Sequence, residues 1–596
     1  MQQNVKNRIS KSVYFLFDKN KLILFISIPF ILFHIYSARF GVSTPQLNRG
    51  IYIGGTFLLV FLVYHHDSKL KYINLFLMLL TLVSVIYFIY QFPSMAHRAG
   101  STTLLDLFFG GVMIFLCIEA TRRVIGNSLT IITTFFIIYV LFGHYIPGML
   151  GHSQISFSRL FSFMYNSLFG IFGNISNIFA TYVLPFIIFG TFLENSGASS
   201  FFIDISYSLT GTTRGGPAKT AVLASALMGS ISGSTAANVV TTGTFTIPLM
   251  KKIGYKPHTA AAVEAAASTG GQLLPPIMGA AAFVMSEFTG ISYWKIVTVS
   301  IFPAFLYFFT VFFLVDINAR KLGLKAMKRA ELPSIKKTLR SGWYFLTPLI
   351  IIFVLLARGN SPSYAAFWAI ISTIVVSYFN KKNAMTISKV IYTLRDSAVK
   401  SLIVGSTVGS IGIIIGTIYL TGIGAKFSDI LLSLSTGFLP MTIILIAIAS
   451  YLLGMGMTTV STYIILSVLA APALVKLGVN LLPAHLIIFW LSQSANLTPP
   501  VCVASYAAAG IAGANPARTG LEALKFAKNL YAIPFLMVYT HILLNGNLLQ
   551  VSLSFCGSVL FLLFLNIIFE KEIIINILMY FKNNFYFLKE FVRNKF

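Results

Sequence analysis

The sequence predicts an all-α polytopic membrane protein of about fourteen transmembrane helices plus two re-entrant hairpins. Three observations predict it. Of the 596 residues, 56% are hydrophobic and 10% charged, a balance outside that of ordinary soluble domains. Apolar runs on the membrane-spanning scale recur from end to end, among them residues 22–35, 72–92, 296–315 and 548–569. Two stretches 224 residues apart also repeat one run of small and polar residues inside apolar sequence. The first copy reads Ser232-Gly-Ser-Thr235, Pro248-Leu-Met-Lys-Lys-Ile-Gly254 and Ser268-Thr-Gly-Gly-Gln-Leu-Leu-Pro-Pro276. The second reads Gly456-Met-Thr-Thr459, Pro472-Ala-Leu-Val-Lys-Leu-Gly478 and Ser492-Gln-Ser-Ala-Asn-Leu-Thr-Pro-Pro500. They align without a gap.

Residues 1–125 read as a four-helix region. Its first apolar run has no small-residue cleavage site and so reads as a retained helix, not a removed signal peptide. Residues 126–215 and 291–437 read as scaffold helices with an arm. Residues 216–290 and 438–512 carry the two copies, each a hairpin (216–252, 438–475) followed by a broken helix; residues 513–596 are closing helices. Basic residues set the orientation. Lys6, Arg8, Lys11, Lys19 and Lys21 precede the first span and place that end in the cytoplasm. The 318–341 loop sets Arg320, Lys321, Lys325, Lys328, Arg329, Lys336, Lys337 and Arg340 against Glu331 alone. That loop and the next basic one (Lys381, Lys382, Lys389, Arg395, Lys400) belong inside, and the turn Arg358-Gly-Asn-Ser-Pro-Ser363 between them outside. Lys571, Lys582, Lys589, Arg593 and Lys595 keep the carboxyl end inside as well. The net charge of +27 thus reads as topology, with no nucleic-acid partner.

Charge also separates the hairpins. Arg214, Lys219, Lys251, Lys252 and Lys256 surround the first, and only Lys426 and Lys476 the second, so the first should open from the cytoplasm and the second from outside. An odd number of spans between them inverts the second copy, the signature of a secondary transporter's binding site.

The tips would be Ser232-Gly233-Ser234-Thr235 and Met457-Thr458-Thr459. Helix 257–267 should break over 268–274 and restart after Pro275-Pro276; helix 483–491 should break over 492–498 and restart after Pro499-Pro500. Paired prolines remove two donors and leave carbonyls a turn earlier without helical partners. Such irregular backbone belongs in protein or in a wet cavity. Freed carbonyls with Ser, Thr, Asn and Gln oxygens suit a hard cation such as sodium, while the positive ends of half-helices suit a carboxylate. Glu264, one turn before Ser268 and on its face, is a candidate proton carrier, cation neighbour or partner for Lys219. Asp106, Glu119 and Glu287 lie nearer span ends, Glu119 forming an interfacial pair with Arg122 and Arg123. His258 and His485 sit at helix starts and read as interfacial. Gly405-Ser-Thr-Val-Gly-Ser410 and the glycines of 412–416 read as close helix packing.

Other classes lack their chemistry. Cys117, Cys502 and Cys556 have no CxxC or Cys/His spacing, which excludes a disulfide framework or a zinc site. There is no HExxH, no GxSxG at a span start and no GxxxxGK[ST] loop, so neither an intramembrane enzyme nor an ATP-driven pump is indicated. A channel would want a filter around one axis; inverted discontinuous repeats suit alternating access.

Several motifs resemble the fused membrane component of tripartite ATP-independent periplasmic (TRAP) transporters over residues 100–545. They are Glu119-Ala-Thr-Arg-Arg123, Phe189-Gly-Thr-Phe-Leu193, Gly215-Gly-Pro-Ala-Lys219, Ser225-Ala-Leu-Met-Gly-Ser-Ile-Ser-Gly-Ser234, Ile247-Pro-Leu-Met250, Glu264-Ala-Ala-Ala-Ser-Thr-Gly-Gly271, Pro275-Pro-Ile-Met-Gly-Ala-Ala-Ala-Phe283 and Thr498-Pro-Pro500. The likeness is to the branch that works with a TAXI-type solute-binding protein. It implies a monomeric elevator in a bacterial or archaeal cytoplasmic membrane, both termini cytoplasmic, with the first four spans standing in for a small subunit. It further implies a sodium or proton gradient as the drive, no other cofactor, a separate extracytoplasmic binding protein as partner and a small anionic substrate. The family's pattern puts cation sites at Ser232, Gly233, Ser234, Gly270 and Gln272 in the first copy. In the second they fall at Gly456, Thr458, Ser494, Asn496 and Thr498. Substrate contacts fall at Ser234, Thr235, Asn238, Thr459 and Ser461. Gly270-Gly271-Gln272 stands opposite Ser494-Ala495-Asn496, so the two cation sites need not be equal.

Overall fold

The computed structural model describes residues 19–64, 71–97, 101–380 and 383–568, and every regular element among them is helical. Lys6, Arg8, Lys11, Lys381, Lys382 and the basic tail from Lys571 lie outside the described residues. Among the described residues eleven helices are long and apolar enough to cross a bilayer, and Pro362–Ser377, Leu439–Gly454 and Val503–Ala512 are shorter apolar helices. Helix is the form this composition dictates, because hydrocarbon offers no partner to a backbone amide or carbonyl.

The first four helices among the described residues are Lys19–Phe40, Pro45–Val63, Lys71–His97 and Leu104–Val124. Thr103 and Asp106 close the last of these with a reciprocal capping box. The expected ion pair is present near its end: Glu119 accepts from Arg122 at 2.8 Å and from Arg123 at 2.7 Å, and Arg123 reaches Asn74 of the preceding helix. Three of the four pack against Ile387–Thr421, a 35-residue helix about 50 Å long. That helix is lined with glycines for a packing reason. A Cβ at Gly405 would strike Thr56, one at Gly409 the Cys117 sulfur, one at Gly412 the Gly170 carbonyl and one at Gly416 the Met164 sulfur. The Gly405–Ser410 and 412–416 stretches are therefore seams between helices, as small residues are in membranes.

The two copies fold alike. The first hairpin joins Gly216–Ser232 to Thr235–Lys252, and the second joins Leu439–Gly454 to Thr459–Lys476. The outgoing helices match residue for residue at the sequence offset of the repeat, 18 residues each. The broken helices are Pro257–Gly271 with Ala281–Thr289, and Leu481–Ser492 with Val503–Ala512. Each copy lends the second half of its broken helix to the other: Ala281–Thr289 packs on Thr459–Lys476 and Leu481–Ser492, and Val503–Ala512 on Thr235–Lys252 and Pro257–Gly271.

Both breaks fall at the prolines, with one shift. The first helix continues through Ser268 to Gly271 and restarts only at Ala281, where the sequence had suggested a break from Ser268 and a restart directly after Pro276. The reason is the hydrogen-bond register. Pro275 and Pro276 cannot donate to the carbonyls four residues back, Gly271 and Gln272, so regular helix survives up to Gly271. The second helix tightens to a 3₁₀ turn over Gln493–Asn496 and stops at the residue four before Pro500. Both Pro-Pro bonds are cis.

Candidate functional site

At the first tip the chain turns through Gly233 in a left-handed conformation (φ 60°), and a Cβ there would lie 2.9 Å from the Met278 carbonyl. Only glycine meets both demands. Ser234 then caps the outgoing helix by accepting from the Ala237 amide at 3.4 Å. The second tip turns at Gly456 (φ 74°), whose bare Cα faces Ser128. Thr458 caps its helix, accepting from the Ser461 amide at 3.2 Å, and its hydroxyl pairs with the Ser461 hydroxyl at 2.8 Å.

The breaks meet these tips. Gln272 Nε2 donates to the Gly233 carbonyl at 2.9 Å, and the Gly279 amide recovers the Gln272 carbonyl at 2.8 Å. Asn496 reaches further. Its Nδ2 donates to Thr459 Oγ1 of its own copy at 2.8 Å and to Thr235 Oγ1 of the other copy at 3.2 Å. The starts of the two outgoing helices, each with unsatisfied backbone N–H groups and a positive dipole end, therefore stand side by side. Thr235, Thr459 and Asn496 are all buried. Thr498 Oγ1 donates to the Ser494 carbonyl at 2.8 Å and holds the second break in shape.

Gln272 Oε1 and Ser494 Oγ are buried without a hydrogen-bond partner, one in each break. Buried oxygens without partners are costly in protein, and hard cations select oxygen ligands of this kind. The residue set fits sodium on chemistry. Gly270 faces the rings of Tyr307 and Phe308, which allow no Cβ. Asn238 sits one turn into the hairpin, where its Nδ2 donates to the Ser225 carbonyl at 2.9 Å and its Oδ1 is buried without a partner. Ser232 Oγ donates to the Ser234 carbonyl at 3.4 Å.

Tyrosines absent from the sequence-derived site support the breaks. Tyr293 donates to the Pro276 carbonyl at 2.9 Å, Tyr451 to the Pro499 carbonyl at 2.8 Å, and Tyr506 to the Pro500 carbonyl. These phenols satisfy proline carbonyls that the broken helices leave without an amide partner.

Glu264 is wholly buried and accepts from four hydroxyls: Ser225 at 2.8 Å, Thr242 at 2.5 Å, Ser268 at 3.0 Å, and Thr246. The shared face with Ser268 is as expected, whereas Ser225, Thr242 and Thr246 were not singled out. The i, i+4 spacing of Thr242 and Thr246 on one hairpin helix was the available signal, and Ser225 comes from the other. Lys219 is not its partner; the ammonium pairs with Asp316 at 2.6 Å, and Asp316 also binds Arg320. His485 is a further correction. It lies a turn inside its helix, beyond the exposed Leu481, and is buried against the Tyr463 hydroxyl at 2.9 Å, because this helix packs inside the protein from Ala484 onward. His258 does sit at a helix start, 3.0 Å from Glu522. Among the described residues there is no cluster of three or more metal-ligating side chains.

Residues 112–547 match the model of the tripartite ATP-independent periplasmic transporter, DctM component. The chain is 26% identical over 329 residues to a putative TRAP transporter large permease protein of Haemophilus influenzae, covering 54% of this chain and 76% of that one. It is 26% identical over 337 residues to the 2,3-diketo-L-gulonate TRAP transporter large permease protein YiaN of Escherichia coli, covering 55% and 77%. It is 26% identical over 361 residues to the C4-dicarboxylate TRAP transporter large permease protein DctM of Pseudomonas aeruginosa, covering 60% and 82%. These relatives are named as transporter permeases and not enzymes, the family match over residues 112–547 runs through both hairpins and both breaks, and the chain accordingly belongs to the DctM component family of tripartite ATP-independent periplasmic transporters.

Proposed function

We propose that this chain imports a small organic acid or acidic amino acid across the cytoplasmic membrane, driven by a sodium or proton gradient, from a separate extracytoplasmic binding protein of the TAXI type. The observation that carries the reading is the Asn496 bridge. It brings two helix N-termini from opposite copies to one point, where their dipoles favour a carboxylate. Gln272 Oε1 and Ser494 Oγ stand ready as cation ligands beside that point. Two relatives, the 2,3-diketo-L-gulonate and C4-dicarboxylate permeases, are named for organic acids.

The two interlocked copies form the moving body, an inverted-topology pair that slides as an elevator against the scaffold around Ile387–Thr421. The four amino-terminal helices stand in for the small subunit: the family match begins at residue 112, after three of them, and three of the four pack on that same scaffold helix. The unit works as a monomer.

Reconstituted in liposomes with its binding protein, the chain should take up labelled organic acids saturably when an inward sodium or proton gradient is imposed. Without the binding protein, uptake should fall to background. Unsaturable flux would indicate a channel, and full uptake by the chain alone would favour a carrier that needs no binding protein.

A further inference from the structure

The hydroxyl cage around Glu264 has no counterpart in the second copy. At the matching positions Glu264 becomes Ile488, Ser225 becomes Ala449, Thr242 becomes Leu466 and Thr246 becomes Ala470; only Ser268, as Ser492, is kept. A carboxyl with its donors is thus built into one copy and replaced by hydrocarbon in the other. Simple packing would be served equally well by the apolar set.

No cation among the described residues pairs with this carboxyl. Lys219 on the first hairpin helix is held by Asp316, Lys251 on the second donates to the Ala512 carbonyl, and His258 of its own helix pairs with Glu522. Tyr307 donates to the Ala266 carbonyl. The other ionisable groups on the packed helices, Lys252, Lys295, Arg320, Lys321, Tyr506, Arg518 and Lys525, are exposed, and Tyr293 is turned to the break at Pro276. An ionised carboxylate here leans wholly on four hydroxyl donors, and a neutral acid would not need all of them.

The geometry also offers the neutral form a place for its proton. Thr242 Oγ1 lies 2.5 Å from Glu264 Oε1 and 2.8 Å from the backbone carbonyl of Asn238. A hydroxyl carries one hydrogen and two acceptor pairs. When the carboxyl is ionised, Thr242 donates to it. When the carboxyl is protonated, its O–H donates to Thr242 and Thr242 turns its hydrogen to the Asn238 carbonyl. Neither state leaves that hydroxyl unsatisfied.

We infer that Glu264 is a proton-binding site of the transport cycle, with Thr242 as the hydroxyl that switches between carboxyl and hairpin backbone. The step is a simple protonation, carboxylate plus proton giving the acid. Ionised, the carboxylate clasps three helix segments: Gly216–Ser232 through Ser225, Thr235–Lys252 through Thr242 and Thr246, and its own helix through Ser268. Protonated, it still holds Thr242 through its own O–H while that hydroxyl's hydrogen passes to the Asn238 carbonyl, one turn from Thr235, and the loss of charge weakens its clasp on the hairpin next to the proposed carboxylate point. This rests on the carrier reading above and assigns one of its coupling ions to a residue.

The test is pH-difference infrared spectroscopy of the purified full chain in nanodiscs. One component of the protonated-carboxyl stretch should grow as pH falls in the native protein and be missing in Glu264→Gln, where the other carboxyls still titrate. In Ser268→Ala it should be larger at one fixed pH, because the ionised form has lost a donor. Thermal melts identify any variant that fails to fold; if Glu264→Gln does, Ser268→Ala and Thr242→Val carry the comparison. Coincident spectra for native protein and Glu264→Gln, or for native protein and both of the other variants, would overturn the assignment. So would a band that sodium chloride abolishes at constant pH and choline chloride does not, which would make Glu264 a cation ligand. The spectrum reads the carboxyl whether or not uptake occurs, so its failure and a failure of the carrier reading are separable.

Discussion

Asn496 holds hydroxyls from both copies with one amide nitrogen, and that economy makes it vulnerable. Asn496→Ala leaves Thr235 and Thr459 without their shared donor in a buried setting, a loss of about 1–3 kcal/mol. The apparent KM for the organic acid should rise by roughly tenfold to a hundredfold in the liposome assay, with expression retained. An unaltered KM would remove Asn496 from the substrate point. Thr498→Val keeps shape but frees the Ser494 carbonyl from its 2.8 Å bond. Cation-dependent uptake should then need several-fold more cation, which a titration of the driving ion would show. An unchanged half-saturation would mean the second break holds its form without that hydroxyl.

Elements in this protein are shaped by two residue types, proline where helices must stop and glycine where they must touch. Gly229 and Gly271 meet where the first hairpin helix crosses the first broken helix, and a Cβ at Gly271 would lie 2.5 Å from the Gly229 Cα. That neighbour is backbone and cannot rotate away. Gly271→Ala should cost about 1–3 kcal/mol as overpacking does and lower the melting temperature in detergent. Gly557→Ala, in the helix Leu548–Ile568 with open space around it, should be neutral or slightly stabilising. Equal effects would mean that the crossing adapts.

For the whole molecule, the two interlocked copies must move relative to the scaffold if the elevator reading holds. One contact spans that boundary in a way that can be trapped. Thr241 of the first hairpin donates to Glu194 at 3.4 Å, and Glu194 pairs with Lys400 of the long scaffold helix at 2.7 Å. Cysteines at 241 and 194, joined by a short bis-maleimide in a background lacking Cys556, should arrest uptake, while the uncrosslinked double variant transports. Undiminished uptake after complete crosslinking would show that this boundary does not slide.

Much of this architecture could be read along the chain. The paired breaks, the tips and the glycine seams follow from rules acting within a few residues: two adjacent prolines forbid helix wherever they occur, and glycine alone tolerates left-handed backbone or a touching neighbour. The extra turn through Ser268 escaped because a proline disrupts the carbonyl four residues back, so polar residues before that point stay helical. Partners were another matter. Glu264 finds Thr242 at a separation of 22 residues, Lys219 finds Asp316 at 97, and Asn496 finds Thr235 at 261. Local sequence determined where the helices start, stop and break. Only the packing of those helices decided which polar side chains meet, because in a low-dielectric interior each must take whatever partner the neighbouring helix presents.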